Sequence, residues 1–142
     1  MSFRLNPAGE QQLSLFDSYM NLTDREKRFL NKSWAKYFAD NIFPRIDEKP
    51  YAVLYSDKDS RPGTPVNIIL SALIIKEYLG FSDDDILTSL MFDIRLQVAM
   101  HTTSFMEQPL SDRTLGRFRQ RCAVYLEETG IDLIKNTVES IS

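Results

Sequence analysis

The sequence contains very little of the two residue types that build disulfide frameworks and most metal sites. Its 142 residues include 1 cysteine and 1 histidine. A single cysteine excludes an internal disulfide, and Cys122 and His101 alone are too small a ligand set for zinc. Cys122 also shares a predicted helix face with Phe118, which favours a buried, inert thiol over a nucleophile. We therefore expect no metal, no cofactor and no catalytic residue, and we place His101 in an exposed loop.

Long hydrophobic runs and glycine clusters are also missing. The longest apolar stretch, residues 66–75, is interrupted by Asn67 and Ser71, and it is too short to cross a bilayer. The N-terminus carries no apolar segment of the secretory type. The 5 glycines are scattered, so no phosphate-binding loop is predicted. We expect a cytoplasmic protein with neither a membrane partner nor a small-molecule substrate.

Apolar residues recur at helical spacing along most of the chain, which predicts an all-α, multi-helix bundle. One helix is expected to begin at a Thr23–Glu26 capping box and end at Pro44. A second, capped by Thr64 with Pro65 at its first position, is apolar on nearly all sides and is therefore the central helix. The remaining helices are expected at 82–100, 111–129 and 131–141, with residues 1–22 as an N-terminal arm and 44–63 as a charged linker.

Three carboxylates follow Ser82 at the start of the 82–100 helix, at positions 83–85. They could in principle hold Mg²⁺. Consecutive residues of a helix, however, point about 100° apart, whereas negative charge in a first turn complements the helix dipole. The second explanation is the simpler one.

The 111–121 segment is strongly basic, although the chain has a net charge of -3. Only Asp112 opposes its four arginines. The helix dipole favours cations near a C-terminus, yet these lie in the N-terminal half. The pattern indicates either a solvated polar face or a surface for a negatively charged partner. One face of the predicted helix carries Arg113, Arg117, Gln120 and Arg121. Arg119 lies at the flank, as a core support or ion-pair partner. The core side carries Leu115, Phe118, Cys122, Tyr125 and Leu126.

Three short motifs in order along the chain resemble a known family. They are Ser60-Arg61-Pro62-Gly63-Thr64-Pro65, Tyr78-Leu79-Gly80-Phe81-Ser82-Asp83 and Leu110-Ser111-Asp112-Arg113-Thr114-Leu115-Gly116-Arg117-Phe118-Arg119. This stretch, 61–121, is similar to the N-terminal helical (InsH-like) domain of insertion-sequence transposases of the DDE type. The resemblance implies a domain that binds double-stranded DNA at element ends and that precedes a ribonuclease-H-like catalytic domain. Too few residues follow Glu128 for that catalytic domain, so we expect no DNA cutting or joining by this chain.

The basic face of the 111–129 helix then suggests which side chains contact DNA, with a helix-turn-helix-like unit presenting them. We expect Arg113, Thr114 and Arg117 to reach base edges or phosphates, because arginine is the usual reader of guanine in the major groove. Gln120 and Arg121 would follow the backbone, and Arg61 beside the 64–79 helix would hold another phosphate. One departure is that the connection between 82–100 and 111–128 exceeds the usual turn of about 3–4 residues.

A different class of function is consistent with the same sequence. A protein-interaction or oligomerisation bundle, forming a homodimer, could use the aromatic arm or the last helix. The arm carries Phe16 and Tyr19. The last helix carries an apolar stripe of Ile131, Ile134, Val138 and Ile141.

Overall fold

The computed structural model describes residues 22–55, 64–102 and 110–141. Every regular element within those ranges is helical, which confirms the all-α prediction. Residues 1–21 of the predicted arm and Arg61 lie outside the described residues, and the helix-turn-helix-like arrangement remains a prediction. No helix of the described residues is both long and apolar enough to span a membrane. The α-helices are α1 (Asp24–Asn31), α2 (Trp34–Tyr37), α3 (Val66–Leu79), α4 (Asp83–Phe92), α5 (Ile94–Ala99), α6 (Asp112–Thr129) and α7 (Leu133–Ile141).

The first predicted helix is two helices, because the chain turns at Ser33. The capping box is confirmed, with the Glu26 amide donating to the Thr23 hydroxyl at 3.1 Å. Ser33 adopts extended backbone angles and its hydroxyl donates to the Leu30 carbonyl at 2.6 Å, so it closes α1 and begins α2. A π-helix (Phe38–Ile42) and a 3-10 helix (Phe43–Arg45) then extend α2. The helical spacing of apolar residues in this region predicts a buried Tyr37, yet Tyr37 is 63% exposed.

The segment predicted as a charged linker contributes to the core. A 3-10 helix (Lys49–Tyr55) buries Tyr51 and Tyr55. The Tyr51 hydroxyl donates to the Leu133 carbonyl at 2.9 Å and also hydrogen-bonds to the Thr137 hydroxyl. Tyr51 therefore holds α7 against the rest of the bundle. The linker prediction is wrong for these residues. The charged residues around the two tyrosines make the segment resemble a solvated linker, although both tyrosines are buried.

The central helix α3 is buried along its first half, as predicted, but Tyr78 near its end is 74% exposed and its cap differs from the prediction. Its N-cap residue is Pro65, with no side-chain capping bond, so the Thr64 cap is wrong. A carboxylate from elsewhere satisfies the helix start: Glu48, only 5% exposed, accepts the Asn67 amide at 3.0 Å. An acidic group at a helix N-terminus also complements the helix dipole. Gly80 ends the helix in the left-handed conformation, with φ 70°.

The predicted 82–100 helix is also divided, this time at Asp93. Asp93 leaves the helical conformation and its carboxylate caps α5, accepting the Arg95 amide at 2.9 Å. Ser82 and Asp85 form a capping box at the start of α4, which confirms the Ser82 cap. His101 is half-buried rather than exposed. Its Nε2 donates to the Ala39 carbonyl at 3.0 Å and its ring stacks on Phe43, with centroids 4.5 Å apart.

Candidate nucleic-acid interface

Helix α6 begins and ends where the sequence predicts. The Ser111 hydroxyl accepts the Thr114 amide at 3.2 Å, and Gly130 closes the last turn with φ 77°. Leu115, Phe118 and Cys122 are buried along one side. Because these residues recur at helical spacing, the opposite side of α6 faces solvent.

Arg113 and Arg117 project from this solvent side. Both are exposed, and neither forms an ion pair or hydrogen bond with any part of the chain that the structure describes. Gln120 is exposed on the same face. Thr114 is half-buried and its hydroxyl lies 3.0 Å from that of Ser111, so it forms part of the helix cap. Two arginines and a glutamine are therefore available to a partner.

Arg119 lies at the flank of α6 and forms an ion pair with Asp83, one of the two roles expected for it. Its guanidinium donates to both carboxylate oxygens of Asp83, at 2.7 and 3.2 Å. Lys76 Nζ stands 3.8 Å from the same carboxylate. The hydrogen bonds from Arg119 hold the pKa of Asp83 below its usual value, and the same pair raises the pKa of Arg119. Asp83 thus joins α4 to α6 besides complementing the α4 dipole.

Replacing Arg119 with alanine is expected to lower the free energy of unfolding by about 1 kcal/mol or less, because the pair is partly solvated. The loss should shrink at high salt. It should also shrink as the pH falls below about 4, since the lowered pKa of Asp83 stabilises the fold only while that carboxyl is ionised. Urea unfolding at two salt concentrations measures this. An unchanged free energy of unfolding at low salt would contradict a stabilising role for this ion pair.

Arg121 is directed onto the protein. It is half-buried, and its Nη1 donates to the Leu54 carbonyl at 3.0 Å. Its guanidinium carbon lies 4.9 Å from the centre of the Tyr55 ring, a cation–π distance. Arg121 therefore fixes α6 to the 3-10 helix at 49–55. A helical wheel cannot reveal this contact, because its partner is 67 residues away in the sequence.

A groove of about 520 Å³ runs between the 3-10 helix and α6. One wall comes from the 3-10 helix, and no pattern in the sequence places that helix beside the arginines. The groove therefore adds apolar and aromatic surface beside the basic face. Its lining residues are Val53, Leu54, Arg117, Gln120, Arg121, Val124, Tyr125 and Glu128.

Charge is unevenly distributed along the solvent side of α6. Arg113 and Arg117 occupy its first two turns, whereas Glu127 and Glu128, both exposed, occupy its last turns. Phosphates would be attracted to the beginning of the helix and repelled from its end. The charge distribution therefore favours the N-terminal half of α6 as the part that would attract a polyanion.

The described residues contain no group of three or more histidine, cysteine, aspartate or glutamate side chains placed to hold a metal ion. Burial raises the pKa of the Cys122 thiol from 9.0 to about 12. The thiol is therefore protonated at neutral pH and is a poor nucleophile.

Helix α1 carries a second basic surface that the sequence analysis did not single out. Arg25 and Arg28 are exposed on it. Phe29 is 56% exposed, with the Arg25 guanidinium carbon 5.7 Å and Lys32 Nζ 4.7 Å from its ring centre. Asp24 and Glu26 alternate with these basic residues in the sequence, so the segment shows no run of positive charge.

The last helix leaves part of its apolar stripe uncovered. Val138 is 42% exposed, while Ile134 is partly buried. Between α7 and α3 lies a groove of about 560 Å³. Its lining is mainly apolar and is bordered by the Arg119–Asp83 pair; it includes Leu70, Leu73, Ile74, Ile134, Thr137 and Val138.

Comparison with known proteins identifies a family but no individual relative. The model of a family described as Transposase domain (DUF772) matches residues 24–121, which is more than half of the chain. No curated protein and no solved structure matches. The matched range includes α1 to α5 and the basic half of α6.

Proposed function

The chain belongs to the Transposase domain (DUF772) family, and from that premise we propose that it binds double-stranded DNA at the ends of an insertion element. On this proposal the chain recognises DNA and leaves cutting and joining to other parts of the transposition machinery. The observation that supports it best is the pair Arg113 and Arg117. Both are exposed and have no partner among the described residues, on a helix whose other side is packed into the core.

We propose that the N-terminal half of α6 enters the major groove. Arg113 and Arg117 contact base edges or phosphates, because a guanidinium can donate two parallel hydrogen bonds to guanine or to a phosphate. Gln120, one turn beyond Arg117, contacts the DNA backbone. Arg61, which the sequence places shortly before α3, supplies a further phosphate contact.

Two of the expected contact residues take supporting roles in this proposal. Thr114 bonds to Ser111 and so helps to fix the start of α6. Arg121 bonds to Leu54 and lies over Tyr55, which holds the middle of α6 in place. Side chains that lock a recognition element before binding reduce the entropy lost in the complex.

A binding titration tests the proposal. The protein is expected to bind a duplex of the element end more tightly than a scrambled duplex of equal length and composition. Its affinity should fall steeply with salt, because each neutralised phosphate contributes about 0.9 to the slope of log K against log salt. Fluorescence anisotropy at several salt concentrations measures both quantities. No binding to either duplex at low salt would overturn the proposal, whereas equal binding would limit it to non-specific contact.

The α3–α7 groove favours a second candidate function, self-association. Its walls are mainly apolar and Val138 is exposed at its edge, as in surfaces that meet a partner. On this alternative a second copy of the chain covers the groove. Light scattering then gives a dimer whose dissociation constant rises in a Val138→Glu variant. A monomer at the highest attainable concentration would rule this alternative out.

A further inference from the structure

Gly116 lies in the interior of α6, on its exposed side. Glycine in a helix interior destabilises the helix relative to alanine, because it loses more conformational freedom on folding. The two glycines that end helices are required by their backbone, with φ 70° at Gly80 and φ 77° at Gly130. Gly116 has no such backbone requirement.

Packing within the chain does not require glycine at this position either. A Cβ atom built on Gly116 would meet nothing within 4 Å among the described residues. An alanine would therefore fit there without moving a neighbour, and the helix would be more stable. The fold alone does not account for the missing side chain.

The position of Gly116 relates it to the basic face. It follows Arg113 by three residues and precedes Gln120 by four, and residues at these spacings are neighbours on a helix surface. The glycine is thus a bare patch of helix backbone between two long polar side chains. A partner held by both side chains would lie against the helix backbone at this point.

Resting on the proposed function, we propose that Gly116 is the point of closest approach between α6 and the DNA, where a sugar–phosphate strand packs directly on the helix backbone. Flanking contacts from Arg113 and Gln120 hold the strand there. A methyl group at this position displaces the strand outward and lengthens those hydrogen bonds, which weaken quickly with distance and misalignment.

The test is Gly116→Ala, a variant that is expected to fold better than the parent. Its midpoint of thermal unfolding should rise by about 2–5 °C. Its affinity for element-end DNA should fall by about tenfold, because the flanking hydrogen bonds are lengthened. The salt slope should stay that of the parent, since no charge is removed.

A reciprocal control lies seven residues further along α6. Ala123 is exposed, and seven residues are close to two helical turns, so it lies on the same side. Ala123→Gly should lower the unfolding midpoint by a similar amount and leave DNA affinity unchanged. The two variants shift helix stability in opposite directions, so if helix stability alone set the affinity they would also change affinity in opposite directions. That outcome would overturn the inference.

The outcome also separates this inference from the proposed function. Gly116→Ala could bind DNA with the affinity of the parent while replacement of Arg113 and Arg117 abolishes binding. In that case DNA does not pack on the backbone at Gly116, and the proposed function stands. If the parent protein binds no DNA, the proposed function fails first and the inference fails with it.

Discussion

Replacing Arg113 and Arg117 together with alanine is expected to reduce affinity for element-end DNA about 100-fold or more. Each guanidinium is exposed and has no partner among the described residues, and one well-formed contact of this kind is worth about 1–3 kcal/mol. The free energy of unfolding should change by less than about 0.5 kcal/mol, because no contact within the protein is removed. Anisotropy titration and urea unfolding of the same samples measure the two effects.

A charge-matched variant distinguishes a defined interface from simple attraction between a cation and a polyanion. Arg25 and Arg28 are exposed on α1, and their replacement by alanine removes the same two charges. This variant should keep affinity within about threefold of the parent. Its salt slope should also remain that of the parent, whereas Arg113→Ala/Arg117→Ala should flatten the slope by about 1.8 if both arginines contact phosphates. Equal losses in the two double variants would contradict an interface on α6.

The parts of the interface that could be predicted from the sequence are those encoded locally. Ser111 and Gly130 define the ends of α6 because capping depends on residues within one turn. The 3.6-residue period places Leu115 and Phe118 inward and Arg113 outward. The same period places Arg119 at the flank of the helix, so an ion pair can be predicted for it, although its partner Asp83 cannot.

The remaining features depend on contacts between distant segments. Arg121 has the wheel position of an exposed residue, yet it bonds to Leu54. Glu48 caps a helix that begins 18 residues later, so no capping pattern reveals it. Gly116 is noticeable in the sequence, because glycine destabilises an exposed helix interior. Only the structure, however, shows that a Cβ atom at this position would meet no neighbour.

Helix breaks at Ser33 and Asp93 follow a common physical rule. A helical stripe continues through both positions, which is why the sequence predicts one helix for each region. Serine and aspartate, however, bond to nearby backbone groups and compete with helix propagation. Both side chains form such bonds here, Ser33 to the Leu30 carbonyl and Asp93 to the Arg95 amide. A cap residue inside a long helical pattern therefore marks a point where the chain can turn.

Replacing Phe118 with alanine is expected to lower the free energy of unfolding by about 3–5 kcal/mol. Its ring is 1% exposed and lies 5.5 Å from that of Tyr51, so truncation leaves a cavity beneath the helix that carries Arg113 and Arg117. Leu126 provides the control on the same helix: its position in the pattern predicts burial, yet it is 40% exposed. Leu126→Ala should cost less than about 1 kcal/mol. If urea unfolding gave equal losses for both variants, α6 would be rotated relative to the core, and the arginines would not face outward.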